Sequence, residues 1–381
     1  MERPPPDDLG QQERAVLGAI AANPFIGQQD IATALGLARS TVAAHIVSLV
    51  QKGHLLGRGY VLPKGKRVVC IGGATVDRKY RARRPLIPGT SNPVDGGRAF
   101  GGVARNVAEN LARLGVETSL VSMLGEDEAG EAVIRHLNDL GVDGTRLART
   151  RERPTAEYVA VLEADGALAL GLADMAILDL LTPEHVERAW SHLAAADWVF
   201  ADCNLSPDVL SHLISRRRAA RFRLAVDAVS TPKVARLPQD LSGVDLLFLN
   251  LDEARALLGD RAAGCEDAAR ALLARGAAAI VLTQGVDGVL LATADGRALI
   301  PAAPARSIDV TGAGDALISG TLARLVAGSA LAEALKAGVL VAALTTESEF
   351  SVHPDLSPQL LEAALARFAA ADSTEPTGAS A

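Results

Sequence analysis

DVTGAGDALISGTLARL, residues 309–325, sets two glycines around Ala313 just ahead of an apolar run with helical spacing. The first N–H groups of a helix have no partner within it, and Gly312 and Gly314 remove the side-chain bulk that would cover them. Gly312, Ala313 and Gly314 therefore outline an anion hole. The carboxylate in the same turn, Asp315, would repel a phosphate rather than hold it. Its chemistry suits a general base that takes a proton from an attacking hydroxyl. An Asp that caps a helix after a Gly turn is the plainer alternative, and the glycines by themselves do not separate the two.

Outward from this string the chain alternates. VVCIGG (68–73) reads as a short buried strand ending in glycines, and Asn106 to Leu114 as a helix. The apolar runs DWVFADCN (197–204), RLAVDAV (223–229), DLLFLN (245–250) and AAIVLTQG (278–285) are each followed by a helical or polar segment. Strands alternating with helices predict an α/β fold, a mostly parallel sheet with helices on both faces. Ligands sit beyond the carboxyl ends of such strands, where Asp77, Asn204, Asp227, Asn250 and Thr283 fall.

The composition narrows the function classes. At 381 residues the chain is long enough for two domains or one large α/β domain. Aromatics are only 3%, so a core must come from Ala, Val and Leu. A net charge of -7 argues against a chain-wide polyanion binder and leaves room for a local basic patch. Cys70, Cys203 and Cys265 lie far apart with no CxxC pair, which argues against a disulfide framework and a structural zinc site. Met1 to Gly10 is rich in Pro and acid, unlike a signal peptide, and no apolar run reaches the roughly 20 residues that span a bilayer. A cytoplasmic protein without a membrane partner is expected.

A seam falls near GRGYVLPKGKR, at 57–67. Before it, Val16, Leu17 and Ile20 recur at helix spacing. Gln28 to Leu35 reads as a short helix closed by Gly36, and Ser40 as the cap of a third helix ending near Lys52. With Ile31, Leu35, Val42 and Ile46 inward, this predicts a helix-turn-helix, and 53–63 is expected to form a two-stranded wing. From Gly36 to Arg67 there are six basic residues and no acidic one. Arg39, Lys52 and Arg58 would meet phosphates, while Ser40, Thr41 and His45 would approach base edges. The segment resembles the winged helix-turn-helix domains of bacterial transcription regulators, which implies operator DNA as a partner. A trihelical dimerisation module is the alternative. The domains expected are 1–63, 64–370 and a frayed tail, 371–381.

The 309–325 string closely resembles the second signature of the PfkB, or ribokinase-like, family of sugar and nucleoside kinases. GGRAFGGVARNVAENLARLG (96–115) resembles the first. IGGATVD matches the opening strand, NLDEA the NxxE motif and LTQGVDGV the nucleotide loop, all in family order from 67 to about 370. The resemblance implies a ribokinase-like sheet sandwiched by helices, with a small β lid from 78–100 and 155–172. It implies phosphoryl transfer from ATP with magnesium to a primary hydroxyl. Asp315 would be the base and Gly312, Ala313 and Gly314 the anion hole. Asp77 and Asn106 would hold sugar hydroxyls, with Gly101 and Gly102 letting the backbone approach. Asn250 and Glu253 would place magnesium and phosphates, and Thr283 and Gly285 would meet the ATP. A potassium ion is expected at Asp309 with carbonyls near Thr346 and Ser351, and a lid-mediated homodimer is expected.

Within the family the strings ADCN, VDAVS, VTGAGDA and HPDLS resemble bacterial pseudouridine kinases. Asp174 and Asn204 are the candidate contacts to the base. Another nucleoside such as adenosine, or a sugar such as ribose or fructose, is the alternative acceptor. A transcription regulator that keeps the kinase fold only as a sensor is a third reading, against which Asp315 and both glycines of the anion hole speak.

Overall fold

The computed structural model describes residues 9–24, 26–56 and 66–372. The expected wing, the seam and most of the tail lie wholly or partly outside them.

The strands are β1 (Arg67–Ile71), β2 (Thr75–Ala82), β3 (Val94–Gly101), β4 (Glu117–Val121), β5 (Met123–Gly125), β6 (Ala148–Thr150) and β7 (Glu157–Leu162). They continue with β8 (Leu168–Asp174), β9 (Trp198–Asp202), β10 (Arg223–Asp227), β11 (Leu246–Asn250), β12 (Ala279–Thr283), β13 (Val289–Thr293) and β14 (Gly296–Ile300). The main sheet runs β14-β13-β12-β11-β10-β9-β1-β4, parallel from β12 to β4 with β13 and β14 antiparallel at one edge.

Parallel strands covered on both faces read as unbroken apolar runs, and these do. Val69, Ile71, Val199, Leu224 and Leu247 enter one core layer, while Val68, Cys70, Phe200, Ala225 and Phe248 enter the other. The first layer is closed by α6 (Pro183–Ala194), α7 (Pro207–Arg217), α9 (Leu251–Leu258) and α10 (Cys265–Ala274). The second is closed by α4 (Val103–Arg113), α5 (Glu128–Asp139), α11 (Ala313–Ala327) and α12 (Leu331–Thr346). A short α8 (Thr231–Val234) and a terminal α13 (Pro358–Asp372) complete the body. The runs turn polar at the carboxyl edge, where Asp202 registers with Asp227 and Asn250 with Thr283.

A second sheet, β3-β2-β7-β8, forms the lid over that edge. Its outer strand β8 leaves Leu168, Leu170 and Leu172 exposed, one face of alternate residues.

Before the body stand α1 (Gln11–Ala22), α2 (Gln28–Leu35) and α3 (Arg39–Gln51). They close around Val16, Ile20, Ile31, Val42, Ile46 and Leu49. Gly36 ends α2 with a left-handed φ of 64°, as a Gly C-cap should. The third helix starts at Arg39 with Ala38 at its N-cap, so Ser40 lies in the first turn rather than capping it. Burial of Val42, Ile46 and Leu49 fixes the phase of this helix, and no side-chain cap is needed. The helices touch the body where Trp190 Nε1 donates to the Gln51 carbonyl at 3.2 Å and Arg221 reaches the His54 ring at 3.0 Å. Among the described residues no single helix is long and apolar enough to cross a membrane.

Candidate active site

Gly312 caps α11 with φ 84°, and a Cβ there would lie 2.0 Å from the Ser351 carbonyl oxygen. Only glycine takes both that dihedral and that contact without strain. The first-turn N–H groups of Gly314 and Asp315 find no carbonyl within the helix, so they face outward at its positive end. Asp315 is 9% exposed and its carboxyl is pushed up to about 7. Burial is the main cause, with the charges of Asp202 and Asp77 acting the same way. The Asn106 hydrogen bond and the Arg105 charge pull back. A carboxyl poised near neutrality is what a general base needs.

Asn106 Nδ2 donates to Asp315 Oδ2 at 2.7 Å, joining the two signatures. Its Oδ1 accepts from the guanidinium of buried Arg105, which also donates to the carbonyls of Gly101 at 3.1 Å and Phe100 at 2.7 Å. Arg105 pairs with Glu109, which also accepts from Arg113 and meets His136 Nε2 at 2.8 Å. Burial draws the Glu109 carboxyl upward, but His136 and Arg105 outweigh it and hold it at about 2. Asn106 is thus fixed from behind, amide nitrogen toward the base.

Asp77 leaves β2 beside this group, its Oδ1 taking a 2.8 Å bond from Thr75 Oγ1, with its carboxyl raised chiefly by burial. A Cβ on Gly101 would fall 2.1 Å from Asp77 Oδ2. Gly101 therefore makes room for the Asp77 carboxylate, a different service from the sugar approach expected of it. Asn204 is held by Lys233 Nζ at 2.5 Å, and its carbonyl accepts from Arg236 at 2.7 Å. Asp174 ends β8 on the lid, exposed and in register with Glu157, which itself pairs with Val76, the residue before Asp77.

A cavity of about 600 Å³ runs from Thr283 and Gly285 past Val289, Leu317 and Val339 to Ala313 and Gly314. It is a mostly apolar slot that ends at the anion hole, the shape and polarity of a nucleotide cleft. Asn250 and Glu253 form a reciprocal cap on α9: Asn250 N–H donates to Glu253 Oε2 at 2.8 Å, and Glu253 N–H to Asn250 Oδ1 at 2.9 Å.

Residues 66–356 match the family model of the pfkB family carbohydrate kinase. The chain belongs to the pfkB kinases. Residues 9–53 match a second model, winged helix-turn-helix DNA-binding. This pfkB kinase is 30% identical over 353 residues to an uncharacterized sugar kinase, YeiI, of Escherichia coli, covering 92% of this chain and 97% of that one. It is 31% identical over 295 residues to the pseudouridine kinase of the same organism, covering 76% and 93%. A carbohydrate kinase from Agrobacterium tumefaciens superposes with TM-score 0.70 at 36% identity, over 79% of this chain and 97% of that structure.

The potassium ligands expected in this kinase are not presented as a set. Asp309 Oδ1 accepts the Thr311 N–H at 2.8 Å and Oδ2 the ammonium of Lys79 at 2.8 Å. The Thr346 carbonyl already accepts from Ile308 at 2.7 Å and Asp309 at 3.2 Å, and the Ser351 carbonyl lies against Gly312. These residues do not fit a resident monovalent cation.

On the helix-turn-helix, Arg39 and Ser40 are exposed and Thr41 is half-buried. His45 meets Gln12 Oε1 at 3.2 Å, and Lys52 pairs with Glu13 at 2.7 Å. Arg58 lies outside the described residues. Asp202, for which the sequence carries no signal of its own, is wholly buried and accepts the N–H groups of Gly73, Ala104 and Asn204, each at 2.9 Å. Arg105 and Lys233 are likewise unmarked in the sequence. The string ADCN contained Asp202, but a carboxylate that ties distant loops leaves no local spacing to find.

Proposed function

We propose that this pfkB kinase transfers the γ-phosphoryl group of ATP to the 5′-hydroxyl of pseudouridine. The observation that carries the transfer is the Asp315 carboxyl, buried at the N-terminus of α11 with its charge titrating near 7. Asp77 and Asn106 orient the ribose hydroxyls, and Asn106 also orients the base through its 2.7 Å bond. Asp315 takes the proton from the attacking oxygen, and the Gly312 to Gly314 turn stabilises the negative charge on the group in flight. The cleft ending at Ala313 and Gly314 orients the nucleotide. Closure of the lid excludes the water that would otherwise compete for the phosphoryl group. Magnesium, a cation of oxygen ligands, neutralises phosphate charge when bound, and Glu253 with Asn250 would help to hold it.

The acceptor reading is supported by the strings ADCN, VDAVS and HPDLS and by the 31% identity to a pseudouridine kinase. A guanosine-inosine kinase of Exiguobacterium acetylicum is 28% identical over 304 residues, which makes a purine nucleoside the competing acceptor. The exposed Leu168, Leu170 and Leu172 support a homodimer through the lid. The N-terminal match supports operator binding through Arg39 and Ser40.

The test is ADP release with ATP and magnesium against pseudouridine, uridine, inosine, adenosine, ribose and fructose. Preferential turnover of pseudouridine, lost in Asp315→Asn, is expected. Turnover of another acceptor overturns the substrate, and tight nucleoside binding without turnover makes the body a sensor.

A further inference from the structure

Lys79 stands on β2 two residues beyond Asp77, so the pleat sends both side chains to the same face of the lid. Its ammonium donates to Asp309 Oδ2 at 2.8 Å. That bond crosses 230 residues and ties the lid to the loop that ends in the anion hole. Asp309 is only 26% exposed, and its other oxygen is taken by the Thr311 N–H.

An anion at this place needs a counter-charge. Asp309 lies three residues before Gly312, where the negative charge of the transferring phosphoryl group would collect, and bare it would oppose that charge. We propose that the Lys79 ammonium supplies at Asp309 the positive charge for which the family resemblance implies potassium, so that this kinase works without a monovalent cation. An ammonium head has the charge of a potassium ion and a similar size, and it donates directional hydrogen bonds to the carboxylate. It also differs in being tethered to the lid. A free ion would occupy the loop whether the lid is open or closed, whereas Lys79 brings its charge only on closure. The loop then reaches its working charge when the acceptor is covered. Lys79 acts through Asp309 and is a positioning residue. The inference rests on the phosphoryl-transfer reading above for its kinetic consequence and on the geometry alone for its cation consequence.

The test uses the full chain in potassium chloride, ammonium chloride or tetramethylammonium chloride at equal ionic strength, with two readouts, kcat and Tm. The wild type is expected to give the same kcat and the same Tm in all three salts. Lys79→Met in tetramethylammonium is expected to lose roughly 10- to 100-fold in kcat, with less change in KM, short of the roughly 10²- to 10³-fold lost with a donor that touches the transition state, because Lys79 acts through Asp309. Potassium or ammonium should restore kcat and raise Tm in that variant alone, and Lys79→Arg should stay indifferent to the salt. The proposal is overturned by a potassium-specific response of the wild type in either readout. It is equally overturned if Lys79→Met responds to neither cation in either readout. Should no acceptor be turned over at all, the Tm arm still decides the cation question.

Discussion

The kinase body and the N-terminal helices treat their polar groups in opposite ways. In the body, Asn106 and Asp315 lie 209 residues apart in sequence and 2.7 Å apart in space, both nearly closed to solvent. Burial has changed each: the amide is pinned by Arg105 and the carboxyl is pushed up to about 7. In the helix-turn-helix the basic groups lie toward the surface, and two of the residues assigned to DNA are engaged within the module, Lys52 by Glu13 and His45 by Gln12. Catalysis needs groups removed from water, while DNA binding needs charge left in it. A motif fixes the first kind of site through spacing, and composition alone does not fix the second.

The largest effect that would break this contrast is at Asp315. Asp315→Asn should lower kcat by about 10³, within the usual span for a lost general base, and leave DNA binding unchanged. The same change should stabilise the fold. The native carboxyl binds its proton more tightly than the unfolded one, so ionisation costs stability as pH rises from about 4 to about 7. Above pH 7 the variant should gain on the order of a few kcal/mol, read from denaturant unfolding. A variant that is inactive and less stable at pH 8 would mean that Asp315 is a structural cap.

The pH profile sharpens the same point. A base with its carboxyl near 7 acts when deprotonated, so kcat/KM should rise about tenfold per pH unit below 7 and level off above it. A flat profile from pH 5 to 8 would place the Asp315 charge elsewhere.

Legibility in the sequence follows the same division. The runs at 197–204, 223–229, 245–250 and 278–285 contain β9, β10, β11 and β12, and 68–73 holds all of β1 but Arg67, because a strand buried on both faces has no polar alternation to disguise it. The two lid segments were equally readable through the family motifs. Less readable were residues whose partners are remote. Asp202 serves three N–H groups, two of them about a hundred residues away. Gly101 is small for the sake of Asp77, and Lys79 meets Asp309 from another sheet. Asn250 and Glu253 are visible as a motif, yet a three-residue spacing alone does not say that they cap each other.

A smaller effect tests whether the two regions are one body. A Cβ on Gly53, at φ 77°, would lie 2.0 Å from the Ala194 carbonyl oxygen at the end of α6. Gly53→Ala should therefore cost roughly 1–3 kcal/mol, mainly in docking of the helices. Hydrogen exchange should quicken at 51–56 while kcat stays unchanged. Unchanged exchange would show that this contact does not hold the module.

The smallest effect concerns which charges would reach DNA if the proposed operator binding holds. Residues 9–56 carry Arg14, Arg39 and Lys52 against Glu13 and Asp30, so the helices are close to neutral. Four more basic residues, Arg58, Lys64, Lys66 and Arg67, follow in the next eleven positions. Lys52 is paired with a Glu13 carboxyl that is held at about 2, where the Lys52 and Ser48 hydrogen bonds outweigh the upward pull of burial. A cation committed to a carboxylate displaces no counterion from a phosphate. Lys52→Ala should therefore leave the slope of log affinity against log salt unchanged, at a stability cost of about 1 kcal/mol or less. Arg39→Ala removes an exposed cation from the front of α3 and should flatten the slope by about one unit. The reverse pattern, with Lys52 carrying the slope, would mean that the Glu13 pair opens on DNA, and that α3 approaches it by its C-terminal end.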